Sequence, residues 1–319
     1  MQTTEIIYSV FAVVLLAALI FDLGIISKKN TEITIKKAFI QTLFWVSLSF
    51  AFWGFIWYEK GSVIATKYIS AYLMEWSLSI DNIFVFILIF TFFKVNKYNV
   101  SRALLIGILL AILLRIIFIT LGVELINQFH WLMYVFGAFL LYTGYKLFFQ
   151  KEEEEYKPEE TKIYRFIKKV FRVTNEDPKG RYFINKNGKV FLTSLTLVVV
   201  MLATTDLVFA LDSIPTVVSL VREKANQPFT ADDILVIYSS NIFAVLGLRS
   251  LYFLLHGAVD KFKYLQQGIA IVLVFIGTKM LIEYFGIYIS IYISLTVIVC
   301  SIGGSVLFSK WKQQKKIII

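Results

Sequence analysis

The residues of this sequence best placed to do chemistry are four carboxylates buried in two long apolar runs. One run contains EWSLSIDNIFVF, with Glu75, Asp81 and Asn82; the other contains DLVFALDSIPTV, with Asp206, Asp212 and Ser213. Laid together, Glu75 falls on Asp206, Asp81 on Asp212, and Asn82 on Ser213. An acid at membrane depth costs roughly 2.5–3.5 kcal/mol on insertion scales, and it persists where it meets a counter-charge, a cation or water. The two halves offer carboxylate, amide and hydroxyl oxygens and neither sulfur nor imidazole. Such a set suits Mg²⁺, Ca²⁺ or Mn²⁺ better than Cu⁺ or Zn²⁺.

Helical geometry says which of these groups share a face. Residues seven apart lie about 20° from one another, so Glu75 aligns with Asn82 and Asp206 with Ser213. Asp81 and Asp212 point about 120° away from those acids. Local unwinding at Asp81-Asn82, and at Pro215 in the second run, would bring all three groups of each half together. Arg115 in AILLRIIFI and Arg249 in VLGLRSLYF are the candidate counter-charges. Asn241 and Lys279 are further candidates for supporting roles, although a helix-to-helix hydrogen bond would explain Asn241 equally well. Asp22 in FDLG lies near a span end, where interfacial and functional roles are equally open. Lys146 and Lys279 are expected to snorkel towards the interface. His130 and His256 sit at span ends and read as interfacial residues rather than ligands.

The elements that must position these groups are membrane helices. Of the 319 residues, 58% are hydrophobic and 17% charged, against about 45–50% and 25% in soluble domains. Nine apolar runs stand out, at roughly 5–26, 37–58, 63–93, 102–121, 128–149, 190–221, 233–255, 264–285 and 287–309. The first has no basic flank before it and no cleavage pattern after it, and reads as a retained helix. Lys and Arg alternate between successive connections. That pattern puts the odd connections and the C-terminus inside and the N-terminus outside. The same topology accounts for the basic pI without nucleic acid as a partner, and leaves membrane lipid as the surrounding medium. Cys300, the only cysteine, cannot form an intrachain disulfide.

The expected fold is thus an all-α polytopic membrane protein of about nine helices, forming a single domain over 1–319. Segment 150–189 is the one sizeable extramembrane piece. It carries an amphipathic basic stretch, TKIYRFIKKVFRV, suited to the membrane surface, and an Asn187-Gly188 hairpin signal. Beyond the acids, Arg115 matches Arg249, and GYKL at Gly144 matches GTKM at Gly277, in the same order and at near-equal spacing. The repeat would therefore comprise 63–149 and 190–285, three spans each and inserted with opposite orientation. Inverted repeats are a common architecture of secondary transporters, whose substrate site lies at the midplane.

Three motifs, EWSLSIDNIFVF, TTDLVFALDSIP and SSNIFAVLGLRSLYF, together resemble the TerC family of integral membrane proteins, including its Alx-type members. The resemblance runs from FDLG at Asp22 to the last span. It implies export of Mn²⁺ and other divalent cations across the bacterial inner membrane, with Mn²⁺ as cargo and no tightly bound cofactor. The repeat plan is similar to that of the lysine-exporter superfamily. On this sequence the implied metal-associated residues are Glu75, Asp81, Asp206 and Asp212, with Asn82 and Ser213 adjoining. One position departs: family members often have a glutamate three residues before the aspartate matching Asp206, where this chain has Ala203.

Other readings remain open on the residues alone. The acids could be structural bridges to Arg115, Arg249, Lys146 and Lys279. Asp81 and Asp212 could form the dyad of an intramembrane hydrolase, although a non-enzymatic transporter is the reading favoured by the repeat. The arginines could hold the carboxylate of an organic solute. A metal-delivery or tellurite-resistance factor could act through a protein partner recruited by 150–189.

Overall fold

The computed structural model describes residues 3–21, 34–129, 131–149, 164–165, 169, 172–174, 180–186, 188–222, 228–256 and 264–318. The helices among them are α1 (Thr3–Phe21), α2 (Ile35–Phe92), α3 (Lys97–Gln128), α4 (Leu132–Phe149), α5 (Ser194–Val221), α6 (Ala231–Leu255), α7 (Leu265–Ile282) and α8 (Ile291–Ile318). Strands β1 (Phe183–Lys186) and β2 (Lys189–Leu192) form a small antiparallel hairpin between α4 and α5.

Helix α2 is 58 residues long, about 87 Å if straight and far more than a bilayer needs. It is not straight. Gly61 adopts φ 83° and ψ 179°, a conformation open to glycine, and divides α2 into arms 35–60 and 62–92. The arms fold back on each other, because the Ser49 hydroxyl lies 2.8 Å from that of Tyr68 and the rings of Phe52 and Tyr68 pack edge to face. Side-chain caps mark other helix starts. The Asn96 side chain accepts from the Tyr98 N–H, and Thr230 forms a capping box with Asp233 at the start of α6.

Seven helices among the described residues are long and apolar enough to cross a membrane. This is fewer than the nine expected runs for two local reasons. One of the seven, Ile35–Ser79, extends across the Gly61 reversal, and the first expected run appears as the shorter apolar helix Ile7–Ile20.

Helix α6 is the post around which the others assemble, with most of its residues buried. Both arms of α2 pack along it, and the rings of Phe11, Phe52 and Phe243 join α1, α2 and α6. Helix α3 packs on α5, and α4 on α7. The α4–α7 crossing is close enough to require glycine. A Cβ on Gly277 would lie 2.7 Å from the Gly137 carbonyl oxygen, and one on Gly144 would lie 2.9 Å from that of Ala270. Small residues at such crossings let backbones approach where no hydrophobic drive is available in lipid. Helix α8 sits at the periphery against α7 and α2.

Two expectations about local structure need correction. Helix α5 continues through Pro215, and α2 continues through Asp81-Asn82, with Gly61 its one non-helical residue. Proline removes one backbone donor, and membrane helices tolerate that loss where neighbouring helices and side chains compensate. The hairpin expectation holds: Lys186 pairs with Lys189 around a turn containing Gly188 at φ 75°. Most of the amphipathic 163–171 stretch lies outside the described residues, although Tyr164 packs against Phe92 and Phe93.

Candidate functional site

Helices α2, α3, α5 and α6 bring five of the expected residues together around one guanidinium. Arg115 is 3% exposed and projects from the middle of α3. Its Nη1 donates to Glu75 Oε2 and to Asn241 Oδ1, each at 2.6 Å. Its Nε and Nη2 donate to Asp206 Oδ2 and Oδ1, both at 3.1 Å, which makes the two-pronged grip that a planar guanidinium suits. Asn82 Nδ2 donates to Asp206 Oδ1 at 3.4 Å, so Glu75 and Asn82 do work from one face of α2. Glu75, Asp206, Asn82 and Asn241 are all essentially buried.

This cluster is well paired but not saturated. Glu75 Oε1, Asn241 Nδ2 and Ser213 Oγ have no hydrogen-bond partner among the described residues. Leaving a buried polar atom unpaired costs about 1–3 kcal/mol, and beside Arg115 one acceptor, Glu75 Oε1, and one donor, Asn241 Nδ2, are left so. Ser213 is 2% exposed on α5. Asp81 and Asp212 stand in helical stretches of α2 and α5, but their side chains lie outside the described residues, as does all of Asp22. Among the described residues, no group of three or more His, Cys, Asp or Glu is assembled. The departure at Ala203 is a fully buried methyl group in α5.

The remaining cations have separate attachments. Arg249 is buried on α6, and its Nη2 donates to Ser101 Oγ at 2.8 Å; neither Glu75 nor Asp206 is among its described partners. Lys146 is exposed, as snorkelling requires. Lys279 is not: it is 4% exposed, and its ammonium donates to the Ser219 carbonyl at 3.0 Å, which corrects the expectation that it snorkels. The last turn of α5 offers carbonyls without intrahelical partners, and a cation is favoured there.

A second ionic pair escapes sequence reasoning. Lys67 Nζ lies 3.1 Å from Asp233 Oδ1, with both side chains buried, and at the rim Lys60 lies 2.9 Å from Asp232. Lys67 and Asp233 stand near the edges of the expected runs 63–93 and 233–255, with Lys60 and Asp232 just outside them; in the structure Lys67 lies within the second arm of α2 and the two aspartates open α6.

Together the helices and this buried polar centre define an all-α, multi-pass integral membrane protein with a charged cluster inside its bundle. Residues 60–317 match the Integral membrane protein TerC family, and the chain belongs to that family. It is 39% identical to an uncharacterized membrane protein of Myxococcus xanthus over 95% of this chain and 92% of that one. A Salmonella typhi protein called "Putative membrane-bound redox modulator Alx" is 37% identical over 98% of this chain and 96% of its own length. The Escherichia coli K12 protein of the same name is 36% identical over 97% and 95%. No solved structure matches the chain.

Proposed function

We propose that this protein exports Mn²⁺ across the bacterial inner membrane by alternating access, in exchange for protons. The observation that carries the reading is the Glu75–Asp206 pair: two buried acids from matched helices, gripped by Arg115 beside unpartnered oxygen and amide atoms. Arg115 occupies the place of a cation between the acids. A divalent ion that displaced it would find carboxylate oxygens from Glu75 and Asp206, with Asn82 and Ser213 adjoining, all hard donors. Asp81 and Asp212 complete the proposed ion path. An acid released by the ion is free to take up a proton, which is how the site would couple export to the proton gradient.

The two three-helix segments, 63–149 and 190–285, act in this reading as inverted repeats, with the N-terminus outside and the C-terminus inside. Support comes from the α4–α7 crossing. Aligned by the matched GYKL and GTKM motifs, Gly144 corresponds to Gly277 and Gly137 to Ala270. Two close backbone approaches, Gly277 on Gly137 and Gly144 on Ala270, then exchange into one another, as a two-fold relation between the segments demands. The helix pairings α2 with α6 and α5 with α3 exchange in the same way.

The Alx relatives are named for redox work. In this chain the only cysteine, Cys300, is exposed on the peripheral α8, which offers a thiol but no second one to pair with it. The transport reading therefore stands first.

Mn²⁺ flux into proteoliposomes, with and without a pH gradient, tests it. Flux should be accelerated by the gradient and abolished in Asp81→Asn and Asp212→Asn, with normal amounts of protein in the membrane. Undiminished flux in those variants would remove both residues from the path, and metal binding without flux would point to sensing or delivery.

A further inference from the structure

A buried hydroxyl on α2, beside the charged cluster, has no structural task. Along this helix the hydroxyls of Thr42, Thr66 and Ser77 each donate to the carbonyl four residues back, the usual outlet of a helical hydroxyl. Ser79 is different: it is 1% exposed, and its Oγ has no hydrogen-bond partner among the described residues. An unpaired hydroxyl at that depth is costly. Ser79 lies four residues beyond Glu75 and three before Asn82, about 40° and 60° round the helix from them. Both of those side chains reach the Arg115–Asp206 cluster, one from about 6 Å along the axis to one side of Ser79 and the other from about 4.5 Å to the other. The hydroxyl therefore stands on their shared face and between them. Helical Cα–Cβ bonds tilt towards the N-terminus, which leans Ser79 towards Glu75, whose Oε1 is likewise unpartnered.

Resting on the cation-transport reading above, we propose that Ser79 is a ligand of the transported divalent ion, offering its hydroxyl oxygen beside Glu75 Oε1 when the ion takes the place of Arg115. Residues at this spacing are neighbours on a helix face, close enough for one ion to touch both side-chain oxygens. Both are hard donors of the kind Mn²⁺ and Mg²⁺ accept, and a hydroxyl ligates Mg²⁺ in the same way in phosphate-binding loops. The repeat alignment separates this role from packing. With Glu75 laid on Asp206, Ser79 falls on Ala210, which is fully buried in α5. A methyl group thus fills the matched place in the other half, and packing there asks for no hydroxyl. Ser70 supplies a contrast within α2. It too is buried with an unpartnered Oγ, yet it stands five residues before Glu75, about 140° round the helix. Of the two, Ser79 alone shares the face of Glu75 and Asn82.

Exchanging the oxygen for sulfur tests the ligand directly. Ser79→Cys, in a Cys300→Ser background, replaces a hard donor by a soft one, which favours Cd²⁺ over Mn²⁺. The purified full-length variant should bind Cd²⁺ roughly tenfold or more tightly than the background protein, with the ultraviolet absorption of a thiolate–Cd²⁺ bond. Ser70→Cys should show neither. No gain in Ser79→Cys, or an equal gain in Ser70→Cys, would overturn the proposal. Ser79→Ala decides where the cysteine variant is not recovered. Its Mn²⁺ affinity should fall about 10–100-fold at an unchanged unfolding temperature, and an unchanged affinity would remove Ser79 from the ion. The ligand and the transport reading fail separately. A Cd²⁺ gain in a protein without Mn²⁺ flux would keep Ser79 as a cation ligand and leave the cargo misassigned. Mn²⁺ flux without the Cd²⁺ gain would sink the ligand and leave transport standing.

Discussion

Two buried ionic clusters tie α2 to its neighbours, and they are built on different plans. At Lys67–Asp233 every described carboxylate oxygen has a partner: Oδ1 meets the lysine, and Oδ2 accepts from the Thr230 N–H and hydroxyl. That acid also starts a helix, so its cost is shared with a cap. At Arg115 the guanidinium serves two acids and an amide from three other helices, and Glu75 Oε1 and Asn241 Nδ2 remain unpartnered among the described residues. The two clusters are eight residues apart on both α2 and α6, about 12 Å along either helix. Burial of charge alone therefore does not mark a site. The saturated cluster is a joint, and the unsaturated one keeps buried polar atoms that the described fold does not use.

The largest effect that tests this contrast should come from Arg115→Gln. Removing the one cation from between Glu75 and Asp206 leaves two buried acids facing each other, and breaking a buried pair typically costs about 3–5 kcal/mol. Thermal unfolding in detergent should show a pronounced drop, partly restored by millimolar Mn²⁺ if an ion takes the vacated place. A drop that no divalent ion relieves would make the cluster a joint like the other.

Lys67→Met should have a smaller effect. Asp233 keeps its hydrogen bonds to Thr230, so the loss is that of one partner to one oxygen, about 1–3 kcal/mol. Unfolding measurements should place it clearly below Arg115→Gln and show no rescue by Mn²⁺. An equal or larger cost, or metal rescue, would erase the distinction between the two clusters.

What the sequence discloses and what it hides follow from the range of the interactions. The shared face of Glu75 and Asn82 is a local consequence of 3.6 residues per turn, and the structure joins Glu75 to Arg115 and Asn82 to Asp206 in one cluster. Arg115 is legible as a lone cation in an apolar run, because such a residue must find an acid. The turn at Gly188 follows from short-range chemistry in the same way. Lys67 and Lys279 are legible only as charges near span ends. Their partners, Asp233 and the Ser219 carbonyl, lie on helices whose proximity no local pattern states. Pro215 misleads for the opposite reason. A local rule predicts a break, and packing in a bundle where its neighbours are buried overrides that rule.

The smallest effect on stability is also the most discriminating. Ser213 Oγ is buried and has no described partner, so Ser213→Ala removes an oxygen that contributes no hydrogen bond. The unfolding temperature should barely move, within the ±0.5 kcal/mol ordinary for changes that break nothing, or rise slightly because a buried unpaired hydroxyl is gone. Mn²⁺ affinity behaves differently if Ser213 adjoins the ion. Loss of an orienting oxygen beside a metal costs about 10–100-fold, which a titration of the purified protein would resolve. Affinity lost at unchanged stability separates a residue kept for its ligand from one kept for the fold. No residue of the Lys67–Asp233 joint should behave this way, because each of its described polar atoms already has a structural task.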